Sequence, residues 1–185
     1  MKKFKFKSDR KYLHGTDIYN YFVKKKFKDI KIVFKKKIIY QPKIINCTKE
    51  INLKNKLCTI EYNYNKKNFL FALINSKKKI NQSYEYNEIE MYNFFKLHNN
   101  KASCNFKSKF SSIETLVSLN KFYHNKKIKL KNWYLCGLKL YNSLDENIYK
   151  KYTINLKKNI LNKFTITNIY KNNKKIGEIN FIAYD

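Results

Sequence analysis

One short segment, Arg10-Lys11-Tyr12-Leu13-His14-Gly15-Thr16-Asp17, brings together residue types that are scarce in this chain. Arg10 is the only arginine among 41 basic side chains, and glycine and histidine occur three times each. Where lysine is the rule, an arginine suggests a need for a planar fork of donors, either for a phosphate or for Asp9 or Asp17. An imidazole at His14 can exchange protons near neutral pH, or it can simply be a half-buried loop histidine. Thr16 can cap a helix, and Asp17 in its first turn would complement the macrodipole. Further along, Ser111 and Glu114 have the S-x-x-E spacing of a capping box, which accounts for the glutamate structurally. His98 and His124 lie among Asn and Lys and are expected in solvent, and Trp133 in the core.

These residues must be positioned by a chain of 185 residues, enough for one domain or two small units sharing a core. At 43% hydrophobic and 17% aromatic, it carries ample core material despite a formal charge of +28. The lysines run along the whole chain and are not gathered in an arm. Together with abundant Asn, Ile, Tyr and Phe, this fits AT-rich coding as well as it fits a functional charge. Dispersed lysine attracts any acidic partner and selects none. The longest clean apolar run, residues 69–74, is far below the ~20 needed for a spanning helix. No apolar segment follows the basic start, so neither a secretory leader nor a membrane span is expected. Cys47, Cys58, Cys104 and Cys136 form no CxxC pair and no zinc spacing. They read as reduced, mostly buried thiols of a cytoplasmic protein, with no metal site and no cofactor.

The chain also repeats an order of elements. Residues 4–74 and 104–184 each open with a short alternating run, 4–8 and 105–110, and continue with a helix signal, 16–25 and 111–124. Strand-like runs follow: IKIVFKKKIIY, LCTIEYNY and FLFALI in the first half, and WYLCGLKLY, YKKYTINLKK, KFTITNIY and KIGEINFIAYD in the second. The closing hairpins match best, with Lys/Asn turns, and Gly177 would ease a bulge or a close approach. Ile113, Leu116, Val117, Leu119, Asn120 and Tyr123 would form a broad buried surface on the second helix, and Ile18, Tyr21 and Phe22 on the first. A connecting helix is expected over 87–97.

A strand, one helix and an antiparallel meander, in tandem, resembles the double-hotdog proteins related to acyl-thioester dehydratases and thioesterases. The resemblance implies an α+β fold: a first unit over 1–76, a connecting segment over 77–101 and a second unit over 102–185. Each unit would be an antiparallel sheet wrapped around one central helix, and the two sheets would join into one. It implies catalysis at the seam, with His14 as the histidine and Glu114 as the helical acid exchanging protons beside a thioester carbonyl. Arg10, Gly15 and Asp17 would bind substrate. The Pro-Gly turn usual before the acidic helix of the dehydratases is replaced by Phe110-Ser111-Ser112, which looks closer to the thioesterases. Acyl-CoA or an acidic acyl carrier protein would be the partner, and the substrate itself would bring any CoA or phosphopantetheine. Two other readings stand beside this one: a basic RNA-associated or ribosomal protein, and a catalytically inactive double hotdog that binds a ligand.

Overall fold

The computed structural model describes residues 3–23, 26–47, 55–128 and 132–184. In chain order the elements are β1 (Phe6–Lys7), α1 (Gly15–Phe22), β2 (Lys28–Phe34), β3 (Tyr40–Asn46), β4 (Lys56–Tyr64) and β5 (Lys67–Lys79). Then come β6 (Ser83–Tyr84), α2 (Ile89–Tyr92), β7 (Phe95–His98), β8 (Lys101–Lys107) and α3 (Ser112–Lys127). The chain closes with β9 (Trp133–Asn142), β10 (Tyr149–Ile160), β11 (Phe164–Lys171) and β12 (Lys174–Ala183). The class is α+β. No helix among the described residues is long and apolar enough to cross a membrane.

Ten strands form one antiparallel sheet in the order β3-β5-β4-β2-β9-β12-β11-β10-β8-β7. The two halves of the chain meet where β2 pairs with β9, Ile32 opposite Leu138 and Val33 opposite Gly137. In both halves the strand after the helix therefore lies at the seam. Beyond it the orders differ. In the second half the last strand, β12, lies beside the seam strand, whereas in the first half β4 does and β5 lies outside it. The cause is connection length. A tight link at residues 161–163 forces β10 and β11 to be neighbours, while the longer link after β3 lets β5 come between β3 and β4. The opening strands differ as well: β8 joins the large sheet, and β1 instead pairs in parallel with β6. The repeat of element types seen in the sequence is thus not a repeat of strand order.

Both closing hairpins turn on two residues in the left-handed region, Asn65–Lys66 and Asn172–Asn173. Such turns match the twist of paired strands. Gly177 faces Ile169 beside a bulge, and a β-carbon there would lie 2.2 Å from the Lys139 carbonyl oxygen. Close approach is what the position requires.

α3 packs against β7, β8, β9 and β10, and α1 packs against α3. The expected face of α3 is buried throughout, from Ile113 and Leu116 to Asn120 and Tyr123; on α1, Ile18 and Phe22 are buried and Tyr21 half-buried. Trp133, Cys47, Cys58 and Cys104 are also buried, and Cys136 partly so. The connecting helix expected over 87–97 is only the single turn α2, because residues 95–98 leave it to pair with β8 as an edge strand. The first helix, expected over 16–25, ends at Phe22; residues 24 and 25 lie outside the described residues.

Candidate functional site

The start of α1 at Gly15 lies close to side chains of the two seam strands, β2 and β9. A β-carbon on Gly15 would come within 2.7 Å of the Leu135 side chain on β9 and 2.9 Å of the Phe34 ring on β2, so those side chains would have to shift to admit a larger residue. His14 is the N-cap residue by backbone geometry, but its side chain makes no capping bond. Thr16, expected as the cap, sits inside the first turn and turns its hydroxyl elsewhere. The start of α3 is built as its spacing indicates. Ser111 accepts from the Glu114 N–H, while Glu114 Oε2 accepts from the Ser111 N–H at 2.9 Å and the Ser111 hydroxyl at 2.8 Å. Asn20 of α1 reaches across to Ser111 Oγ at 3.1 Å.

Between the two helix starts lies Lys7 of β1, with 0% of its side chain exposed. Its ammonium donates to Thr16 Oγ1 at 2.8 Å and to Glu114 Oε1, and stands 3.6 Å from Asp17 Oδ1. The ring of Tyr86 covers it at 3.9 Å. Thr16 Oγ1 in turn lies 2.7 Å from His14 Nδ1. Tyr84 donates its hydroxyl to Asp17 Oδ1 at 2.6 Å, and the Tyr86 hydroxyl lies 3.2 Å from Ser118 Oγ. His14 and Glu114 are thus the two ends of one buried chain, His14–Thr16–Lys7–Glu114. Beside it, Arg10 Nη2 donates to Glu88 at 2.8 Å, and Lys121 pairs with the same carboxylate.

Charge follows this geometry. Burial, followed by the Lys7, Arg10 and Lys121 cations, holds the His14 imidazole well below its ordinary value, so it is neutral at pH 7. Burial alone would raise the Glu114 carboxyl, but the Lys7 ammonium and the bonds from Lys7 and Ser111 outweigh it and leave it below the ordinary range. At Asp17 burial prevails over Lys7, and its carboxyl is raised.

Two recesses lie at this region, and their linings share no residue. His14, Arg10, Gly15, Leu135 and Trp133 line a cavity of about 60 Å³, room for a few waters or a small polar group. At its rim Lys37 lies 4.0 Å from the Tyr134 ring and 5.0 Å from that of Tyr184. Asp17, Glu114 and Tyr84 instead line a second recess of about 640 Å³, with Lys3 and Lys5. His14 Nδ1 is engaged by Thr16, and its Nε2 has no hydrogen-bond partner among the described residues. Arg10 Nη1 is buried and likewise unpartnered among them.

All five residues singled out in the sequence therefore come to one region, but not to one cavity. Arg10, His14 and Gly15 line the small cavity; Asp17 and Glu114 line the second recess. Arg10 pairs with Glu88 and with neither Asp9 nor Asp17. Lys7, Tyr84, Tyr86 and Glu88 were not legible as site residues: period two places Lys7 outward, and the others lie in or just before the expected connecting helix, which carried no site signal. His124, expected in solvent, is fully buried. Its Nδ1 lies 2.6 Å from the Asn120 carbonyl and its Nε2 2.7 Å from Thr165 Oγ1, with Trp133 edge-on at 4.5 Å. The Asn120, Tyr123, His124 spacing was the available signal, because it continues the apolar face of α3. His98 is exposed as expected.

No protein-family model matches the chain, and no curated protein matches it. Among solved structures, the chain is similar to the dehydratase domain of MlnD from Bacillus amyloliquefaciens, at 7% identity and a TM-score of 0.41 over 86% of this chain and 76% of that one.

Proposed function

We propose that the protein handles acyl thioesters of CoA or of an acidic carrier protein, and that the thioester carbonyl enters the His14 cavity. The observation that carries this reading is a pair of nitrogens without partners among the described residues, His14 Nε2 and Arg10 Nη1, on residues lining one small cavity at a helix start. A thioester oxygen gains negative charge when the α-proton leaves, as in dehydration, or when water adds, as in hydrolysis. Donors fixed in place before the reaction stabilise that charge. His14 is the catalytic residue in this reading, donating from Nε2 to the carbonyl oxygen as it gains charge. Arg10 and the backbone at Gly15 contact substrate, and Glu114 and Asp17 act by holding Lys7. Lys35, Lys36 and Lys37 at the rim suit the phosphates of CoA or phosphopantetheine.

The test is turnover of a series of short acyl-CoA and acyl-carrier thioesters. His14→Ala is expected to lower turnover by at least ~100-fold, the low end for a lost donor to a developing oxyanion, measured on variant protein whose circular dichroism shows it folded. Binding without turnover, abolished in His14→Ala, would identify the inactive ligand-binding form. Neither binding nor turnover would overturn the proposal.

A second reading, association with RNA, is favoured by a groove of about 950 Å³ lined by Lys3, Lys43, Lys77, Lys78 and Lys79. It requires binding that weakens steeply with salt and that loses slope when those lysines are replaced.

A further inference from the structure

Three polar groups meet at the Thr16 hydroxyl, and their hydrogens can be counted. The Lys7 ammonium has only donors, and it spends one on Thr16 Oγ1 at 2.8 Å. Thr16 then has a single hydrogen of its own to place. The other partner in reach is His14 Nδ1 at 2.7 Å, and Thr16 is fully buried. If His14 Nδ1 carried the proton, Thr16 would accept twice and its own hydrogen would be left buried without an acceptor. If Thr16 donates to Nδ1, its own hydrogen is satisfied, and the neutral imidazole carries its proton on Nε2.

We infer that Lys7 is a positioning residue: through Thr16 it fixes His14 in the Nε2–H tautomer, so that the imidazole offers a donor, not a lone pair, to the cavity. Glu114 and Asp17 compensate the buried ammonium that makes this possible. The ligand that fits such a site presents an acceptor oxygen, a carbonyl or an oxyanion, that both His14 Nε2–H and Arg10 Nη1 can reach. What the donor does to a thioester rests on the function proposed above. The tautomer itself does not.

The experiment is a long-range proton–nitrogen correlation of the imidazoles in the nitrogen-15-labelled full chain at pH 7, without ligand. His14 is assigned by loss of its signals in His14→Gln. The expected pattern is a protonated Nε2 and an unprotonated, hydrogen-bonded Nδ1. Thr16→Val should shift the Nδ1 resonance, and Thr16→Ser should restore it. The double variant Lys7→Met/Glu114→Gln removes the source of the link without stranding a carboxylate, and should admit the Nδ1–H form. A protonated Nδ1 in the unaltered chain overturns the inference, as does a folded double variant with an unchanged His14 pattern. If the double variant does not fold, the unaltered chain still decides, because an Nδ1–H tautomer is incompatible with the Lys7–Thr16 link. Because no thioester is present, failure in the turnover assay and failure here are separate results.

Discussion

Lys7 and Glu114 form an ion pair between β1 and α3, 107 positions apart in the chain, with 0% and 12% of their side chains exposed. The pair joins the first strand of the chain to the capping box of its longest helix, so one carboxylate serves two ends. Oε1 holds the ammonium, and Oε2 closes the helix start.

Removing one partner of such a pair leaves the other buried and uncompensated. Lys7→Met alone is expected to lower stability by about 3–5 kcal/mol. Lys7→Met/Glu114→Gln should recover much of that loss, since Gln keeps the bond to the Ser111 N–H without a charge. Urea denaturation of both variants checks this; equal losses would mean that the capping box, and not the ion pair, is what Lys7 protects.

Stability should fall as the pH drops below about 6.5. Burial holds the His124 imidazole at about 4, against an ordinary 6.5. The unfolded chain therefore takes up a proton first, and the stabilisation is complete above 6.5 and is lost as the pH falls toward 4. The size is roughly 3 kcal/mol. His14, also depressed, acts in the same direction. Glu114, a depressed carboxyl, adds its loss only below its ordinary 4.5, while the raised Asp17 works in the opposite sense. Urea midpoints from pH 7 to pH 4 should slope downward in the unaltered chain and flatten in His124→Gln.

Gly177→Ala should be costly for a reason of space alone. The added methyl would meet the Lys139 carbonyl oxygen at 2.2 Å, a backbone atom of β9 that cannot turn aside as a side chain could. Overpacking of this kind costs about 1–3 kcal/mol, to be read from thermal denaturation. A neutral result would show that the β9–β12 pair yields at the bulge.

Lys66→Gly should stabilise the protein. Lys66 holds φ at 62° in the β4–β5 turn, where a side chain is strained and glycine is not. A gain of roughly 0.5–1 kcal/mol is expected. Asn65→Gly should gain less, because asparagine tolerates the left-handed region.

Local pattern in the amino-acid sequence determined most of the elements. The runs ending in Tyr64, Ile74, Tyr141 and Tyr170 became β4, β5, β9 and β11, because alternation and turn residues act over neighbouring positions. The Ser111–Glu114 spacing likewise specified its own capping box, and the scarcity of arginine, histidine and glycine pointed to the loop before α1. Tertiary structure decided what depended on distant partners. In Phe-Lys-Phe-Lys, period two turns lysine to solvent, yet Lys7 is buried because carboxylates from α1 and α3 and the face of Tyr86 converge on it. The run 30–40, which reads as one strand-like stretch, is divided between β2 and β3, and these strands lie three places apart in the sheet. Strand order was equally out of reach, since it turned on whether a tight link or a long one joined two similar strands. A hydrogen-bonded chain assembled from β1, α1 and α3 is set by packing, and no spacing along the sequence encodes it.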